Sequence, residues 1–217
     1  MTNNKRIISF DLDGTIVNSN FADNVWLRGL PKYYALEKNV SYQKAQSLLM
    51  NEYERIGSDK REWYDLTYWI SRYDLPITPS ELLNEYKRTI MAYDDAKDVI
   101  RRLSKDFKLI ISSGAMKEFI DIELTTSGLK KYFTHTFSST SDTNTVKKDP
   151  SFYMMIAHQL GTNPSNIIHI GDNKQYDYVT PKKVGIISFF LVRNLEKNSD
   201  HILSSLYDFE QKIKDLI

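Results

Sequence analysis

The chain has 217 residues, 41% of them apolar, and its 29 basic and 28 acidic side chains leave a formal charge of +1. That suits the core of one ordinary domain, or of one carrying a sizeable insertion, and it lacks the basic excess that marks a nucleic-acid binder. There is no cysteine, so disulfides and thiolate metal sites are excluded. No run of about 18 apolar residues predicts a membrane span, and MTNNKR runs into acidic sequence too soon for a signal peptide, so a cytoplasmic location is expected.

In chain order, five short runs of β-branched and aromatic residues read as strands: Arg6–Leu12, Phe107–Ser113, Thr134–Ser139, Ile167–Asp172 and Ile186–Val192. They lack clean polar alternation, which predicts strands covered on both faces, as in a parallel sheet. Helical patterns separate the later strands. Lys117 to Thr126 runs toward Gly128, a C-terminal stop. Asp149-Pro150 is an N-cap followed by proline at the first helical position, opening Ser151–Leu160. Ser205 to Asp208 has the form of a capping box for the last helix. Strand and helix in alternation predict an α/β, doubly wound (Rossmann-like) fold with a parallel five-stranded sheet.

The interval between the first two strands breaks that rhythm. Residues 17–94 far exceed one crossover helix. Tyr42, Ala45, Leu48, Leu49, Tyr53 and Ile56 form one helical stripe, and Trp63, Leu66, Ile70 and Tyr73 another. Thr78-Pro79-Ser80-Glu81 is a capping box that opens a third helix toward Met91. The expected organisation is an α/β core of residues 1–16 and 95–217 with a helical cap, 17–94, inserted in it.

In a doubly wound sheet, ligands bind beyond the carboxyl ends of the strands, where the strand order reverses. The first strand ends in Asp11 and Asp13, the second in Ser112-Ser113-Gly114 and the fourth in Gly171-Asp172, with Asp177 five residues on. Lys147 and Lys148 precede the helix after the third strand. Converging carboxylates repel unless positive charge sits among them. An all-oxygen donor set favours a hard cation such as Mg²⁺, and a lysine and a serine nearby suit phosphate oxygens.

Asp11-Leu12-Asp13-Gly14-Thr15, Ser112, Lys147 and Gly171-Asp172 with Asp177 resemble, in order and spacing, the four motifs of the haloacid dehalogenase superfamily. The likeness covers the core, and the helical insertion falls where phosphoglycolate-phosphatase-like members carry a cap. The resemblance implies a Mg²⁺-dependent phosphatase acting on a small phosphorylated metabolite. Asp11 would be the nucleophile that forms an aspartyl-phosphate, and Asp13 the general acid and then base. Asp11, the backbone carbonyl of Asp13, and Asp172 would bind the metal. Asp177 would orient a metal-bound water or the lysine; read from the residues alone, it is a first-turn acid of a helix. Ser112 and Lys147 would hold phosphoryl oxygens, assisted by Thr15 and by the amides around Gly14, Ser113 and Gly114.

Two registers need a choice. The family's second motif places Ser/Thr before Asn and Gly, which puts Ser112 on the motif and Ser113 in the Asn slot. Its lysine commonly stands in Lys-Pro-Asp-Pro, so Lys147-Lys148-Asp149-Pro150 puts Lys147 in register and Lys148 in a proline slot. Asp13 argues against a dehalogenase, whose halide leaving group needs no acid. A sugar phosphomutase of the same superfamily and a non-enzymatic phospho-accepting module are the alternatives. His169, inside a strand, reads as packed or hydrogen-bonded core, and the insertion's tyrosines and tryptophans mostly as cap core. Tyr64, Tyr68, Arg28, Arg55 and Arg61 are candidates for facing the cleft. Substrate identity and oligomeric state are not legible.

Overall fold

The computed structural model describes residues 6–143, 145–195 and 199–216; the leading MTNNK lies outside them. Strands β1 (Ile7–Phe10), β2 (Lys108–Ser113), β3 (Phe133–Ser138), β4 (Ile167–Gly171), β5 (Ile187–Leu191) and β6 (Ile202–Leu203) form one sheet in the order β3-β2-β1-β4-β5-β6. All pairings are parallel. Among the described residues the sheet therefore has six strands rather than the expected five. The extra one is two residues long, too short for any period to show in sequence.

The first long helical stretch comprises α1 (Asn20–Asn24), a π-helical turn (Val25–Gly29) and α2 (Leu30–Glu37). It continues through α3 (Tyr42–Ile56), α4 (Leu66–Arg72) and α5 (Pro79–Tyr86). These helices share a core of their own, with Trp69, Phe21, Leu30 and Leu49 among its buried members. On α3 only Ala45, Leu49 and Tyr53 of the expected stripe are buried. Asp65 breaks the second stripe by N-capping α4 through the amides of Thr67 and Tyr68. Trp63 and Tyr64 consequently belong to a separate 3₁₀ turn (Arg61–Tyr64), not to the helix that follows. The Thr78–Glu81 capping box is formed in both directions.

Helices α6 (Asp94–Leu103), α7 (Lys117–Thr126), α8 (Ser139–Asp142), α9 (Pro150–Gln159), α10 (Thr180–Lys183) and α11 (Leu206–Asp215) complete the chain. Period-two alternation divides the sheet's side chains. Ile8, Phe10, Ile111 and Ile170 pack against Val99 of α6, Leu124 of α7 and Phe209 of α11. Ile7, Ile110 and Ile167 pack against Phe152 and Ile156 of α9 on the other face. Coverage of both faces explains why the strands read as continuous apolar runs. The chain passes from β1 outward through β2 and β3, then returns to β4 on the other side of β1. The order reverses between β1 and β4, so a crevice opens where Asp11 and Asp172 leave the sheet.

Phe209 lies against Phe10 and Phe189, with ring centroids 5.7 and 5.5 Å away and near edge-on geometry. Phe209→Ala should lower unfolding free energy by about 3–5 kcal/mol in chemical denaturation. Leu36→Ala, at a side chain 67% exposed, should change it by less than about 0.5 kcal/mol.

Candidate active site

Where β1 ends, the backbone turns sharply. Gly14 adopts φ +74° and donates to Val17 O at 2.7 Å, while the amides of Thr15, Ile16 and Val17 all converge on Leu12 O. Gly14 has a second reason to lack a side chain: a Cβ there would sit 2.0 Å from Asp172 Oδ2. The turn is strapped from below by Arg193, which donates to Gly14 O at 3.3 Å and Thr15 O at 2.5 Å. The same guanidinium reaches both oxygens of buried Asp95 at 3.1 Å. Thr15 Oγ1 donates to Asp11 Oδ2 at 3.3 Å and so helps to fix the first carboxylate.

The lysine that meets this carboxylate is Lys148, not Lys147. Its Nζ donates to Asp11 Oδ1 at 2.5 Å, to Asp177 Oδ1, and weakly to Ser112 O at 3.4 Å. Lys147 instead turns outward and pairs with Asp59 of the helical insertion. Counting back from Asp149-Pro150 puts Lys147 in register. Asp149 does N-cap α9, but the backbone of the preceding loop aims the side chain of its immediate neighbour inward. A motif's spacing cannot report which of two adjacent lysines a loop turns toward the site.

A similar correction applies to the serines. Ser112 is fully buried on the sheet face below Asp11, its Oγ 2.8 Å from Ser9 Oγ. Ser113 lines the cleft, where its Oγ accepts from the Ala115 amide at 3.0 Å. Gly14 and Gly114 line the same cleft as Asp11, Asp13, Asp172 and Asp177.

Asp177 is held from three sides. It accepts from Lys148, from the Asn173 amide at 3.0 Å through Oδ2, and from His169 Nε2 at 3.1 Å. Burial lowers the affinity of His169 for a proton. A neutral ring facing a carboxylate must carry its proton on Nε2. Nδ1 then accepts from Ser9 Oγ at 2.8 Å, and Ser9 accepts in turn from Ser112. Tyr153 OH donates to Tyr176 O at 2.7 Å and packs against the same ring. Residues read as strand core thus form a polar chain that fixes the carboxylate fixing Lys148. Gly171 makes room for it, since a Cβ there would lie 2.4 Å from Asp177 Cγ.

The electrostatics follow from burial. Desolvation pushes Asp11 well above the usual carboxylate range; Lys148 opposes this, and Asp177 and Asp172 add to it. Desolvation and Asp172 raise Asp13 to about 6, and desolvation and Asp177 raise Asp172 to about 6. Desolvation also acts on Asp177, but Lys148 and His169 outweigh it and hold it down at about 2. Burial works against the charge of Lys148 as well, and Asp11 and Asp177 overcome it.

One carboxyl group was absent from the sequence reading. Glu123 of α7 is fully buried, and its carboxyl shares a hydrogen bond with the side chain of Asp13. Burial and the nearby Asp13 push Glu123 up to about 10, so it is uncharged at neutral pH. Its signal was available: Glu123 occupies an apolar phase of α7, between Ile120 and Leu124.

Asp11, Asp172 and Asp177 can each offer one oxygen within 4.8 Å of the others. This all-carboxylate set, with a glycine cleared away beside Asp172, fits a hard divalent cation. The side chain of Asp13 is outside that set.

Known proteins resemble the chain along most of its length. The family model described as haloacid dehalogenase-like hydrolase matches residues 5–185. A pyrophosphatase, PpaX, of Oceanobacillus iheyensis is 22% identical over 98% of this chain and 95% of its own length. The GMP/IMP nucleotidase YrfG of Escherichia coli is 21% identical over 77% of this chain and 74% of its own. Among solved structures, a HAD phosphatase from Thermococcus onnurineus superposes with a TM-score of 0.82, at 23% identity, covering 96% of this chain and 97% of that one.

The carboxylate cluster makes stability depend on pH and metal together. Asp13 and Asp172 bind protons more tightly when folded, with values near 6 against an ordinary 3.8. Between those values the folded state holds more protons, so metal-free stability should fall as pH rises from 4 to about 6. A divalent cation competes for the same oxygens. Mg²⁺ should therefore raise the thermal midpoint more at pH 7.5 than at pH 5, as measured by scanning calorimetry. An equal rise at both values would contradict this account of the cluster.

Proposed function

The chain belongs to the haloacid dehalogenase-like hydrolases, and from that premise we propose that it is a Mg²⁺-dependent phosphomonoester hydrolase working through an aspartyl-phosphate on Asp11. The observation that carries the reading is the buried triangle of Lys148, Asp11 and Asp177 at the mouth of β1, beside a second carboxylic acid, Asp13, two residues on. The segment 17–94, in this reading, is a cap that covers the site.

The roles follow from position. An oxygen of Asp11 attacks phosphorus and the bond to the leaving oxygen breaks. Asp13, raised to about 6, is a carboxyl whose proton is available near neutral pH, and it delivers that proton to the leaving oxygen. In the second half, the deprotonated Asp13 takes a proton from water as the water attacks phosphorus, and the Asp11–phosphorus bond breaks to release phosphate. Neutral Glu123 keeps a second negative charge away from Asp13. Lys148 offsets charge on the phosphoryl oxygens and holds Asp11 in line. The cleft amides and Ser113 are placed for the remaining oxygens. Held by Asp11, Asp172 and the backbone carbonyl of Asp13, with Asp177 orienting Lys148 or a metal-bound water, a divalent cation would supply the positive charge that keeps Asp11 ionised against burial.

Asp13 separates this reading from halide displacement, which needs no proton donor. The family match sets aside a receiver-type phospho-accepting module. A sugar phosphomutase would share these residues but return isomerised sugar phosphate, whereas a hydrolase releases free phosphate.

Asp11→Asn should abolish phosphate release from an aryl phosphate with Mg²⁺ present; substantial residual turnover would sink the nucleophile assignment. Lys148→Ala should lower kcat by about 100-fold or more, on the scale of losing one oxyanion donor. Lys147→Ala should leave kcat within a few-fold, and equal losses in the two variants would overturn the choice between them.

A further inference from the structure

The cavity above Asp11 encloses about 900 Å³, within the range of pockets that enclose drug-sized ligands. Phosphate and a two-carbon leaving group would occupy little of it. Its upper wall is aromatic. Trp26 stacks on Phe119 with planes 2° apart, and Trp63 and Tyr64 lie together on the Arg61–Tyr64 turn, ring centroids 4.7 Å apart. All four line the cavity.

The charge lining the same cavity is committed. Lys148 is held by Asp11 and Asp177, Lys147 by Asp59, and Arg193 by Asp95 and the carbonyls of Gly14 and Thr15. Among the described residues, each lining cation already has an acidic partner, and only Lys147 is held in an exposed pair. Besides Asp172, the exposed acid on the lining is Asp23, which accepts from Ser19 Oγ at 2.9 Å, and Asn18 lines the cavity too. A leaving group carrying a carboxylate or another phosphate would meet aromatic faces and a negative charge. A flat, uncharged ring with hydroxyl groups would meet stacking surfaces and hydrogen-bond acceptors.

We propose that the substrate is a nucleoside monophosphate, its base stacked on the Trp26–Trp63–Tyr64 wall and its sugar hydroxyls directed to Asp23 and Asn18. The proposal rests on the phosphomonoester reading above and narrows it. It also separates this chain from its pyrophosphatase relative, whose substrate has no ring to stack and a second phosphate to neutralise.

The test compares kcat/KM for IMP, GMP and UMP with those for phosphoglycolate, pyrophosphate and glucose 6-phosphate, all with Mg²⁺. The nucleotides should be favoured by about tenfold or more, the scale of one base–aromatic stack. Trp63→Ala should cut the ratio of IMP to glucose 6-phosphate turnover by a similar factor, mainly through KM, and Trp63→Phe should restore most of it. Binding is read independently of chemistry: inosine, which has no phosphate to lose, should quench the wild-type tryptophan fluorescence, and less so in Trp63→Ala. Faster release from phosphoglycolate or pyrophosphate than from any nucleotide would overturn the substrate class and leave the hydrolase reading standing. Inosine quenching without phosphate release from any compound would support the stacking wall and overturn the hydrolase reading. The absence of both inosine quenching and a preference for nucleotides would overturn the wall itself.

Discussion

The ammonium of Lys148 lies between the carboxylates of Asp11 and Asp177, nearly out of reach of water, and much of the surrounding architecture follows from keeping it there. A buried charge is tolerated only when it is paired and hydrogen-bonded. Each partner is therefore itself held. Thr15 and the turn at Gly14 hold Asp11, and His169, the Asn173 amide and the chain through Ser9 and Ser112 hold Asp177. The sheet topology makes this convergence possible, because β1 and β4 are neighbours at the point where strand order reverses.

The same crowding prepares the site for a cation. Four carboxylates near one lysine leave an excess of negative charge, and burial raises Asp11, Asp13 and Asp172 as a result. A divalent ion bound there would lower that cost at Asp11 and Asp172. In the proposed mechanism, the proton retained at Asp13 is the one delivered to the leaving oxygen. Glu123, neutral by burial, sits next to Asp13 without adding a further charge.

The helical insertion meets the core through side chains from both. Met116 and Phe119, at the start of α7, pack in the insertion's own apolar cluster. Lys147, displaced from the site by its neighbour, reaches Asp59 across the cleft. The aromatic residues divide between two tasks that composition does not distinguish. Trp69 and Tyr53 are buried structure, whereas Trp26, Trp63 and Tyr64 border the cavity. Tyr68, the other tyrosine singled out from the sequence, accepts from Arg72 instead.

The sequence by itself determined the fold class, the five longer strands, the long helical insertion and the carboxylates at the strand ends. These are carried by local signals: apolar runs, caps, and a DxDGT segment whose spacing is chemical. Only the tertiary structure decided between adjacent residues. Lys148 over Lys147 and Ser113 over Ser112 depend on where a loop or a strand's last turn aims a side chain, and a one-residue step reverses that direction. Glu123, His169, Tyr153 and Arg193 became part of the site for a further reason. Their partners lie between 8 and more than 100 positions away in the chain, and long-range burial, not local pattern, sets what each of them touches and whether it carries a charge.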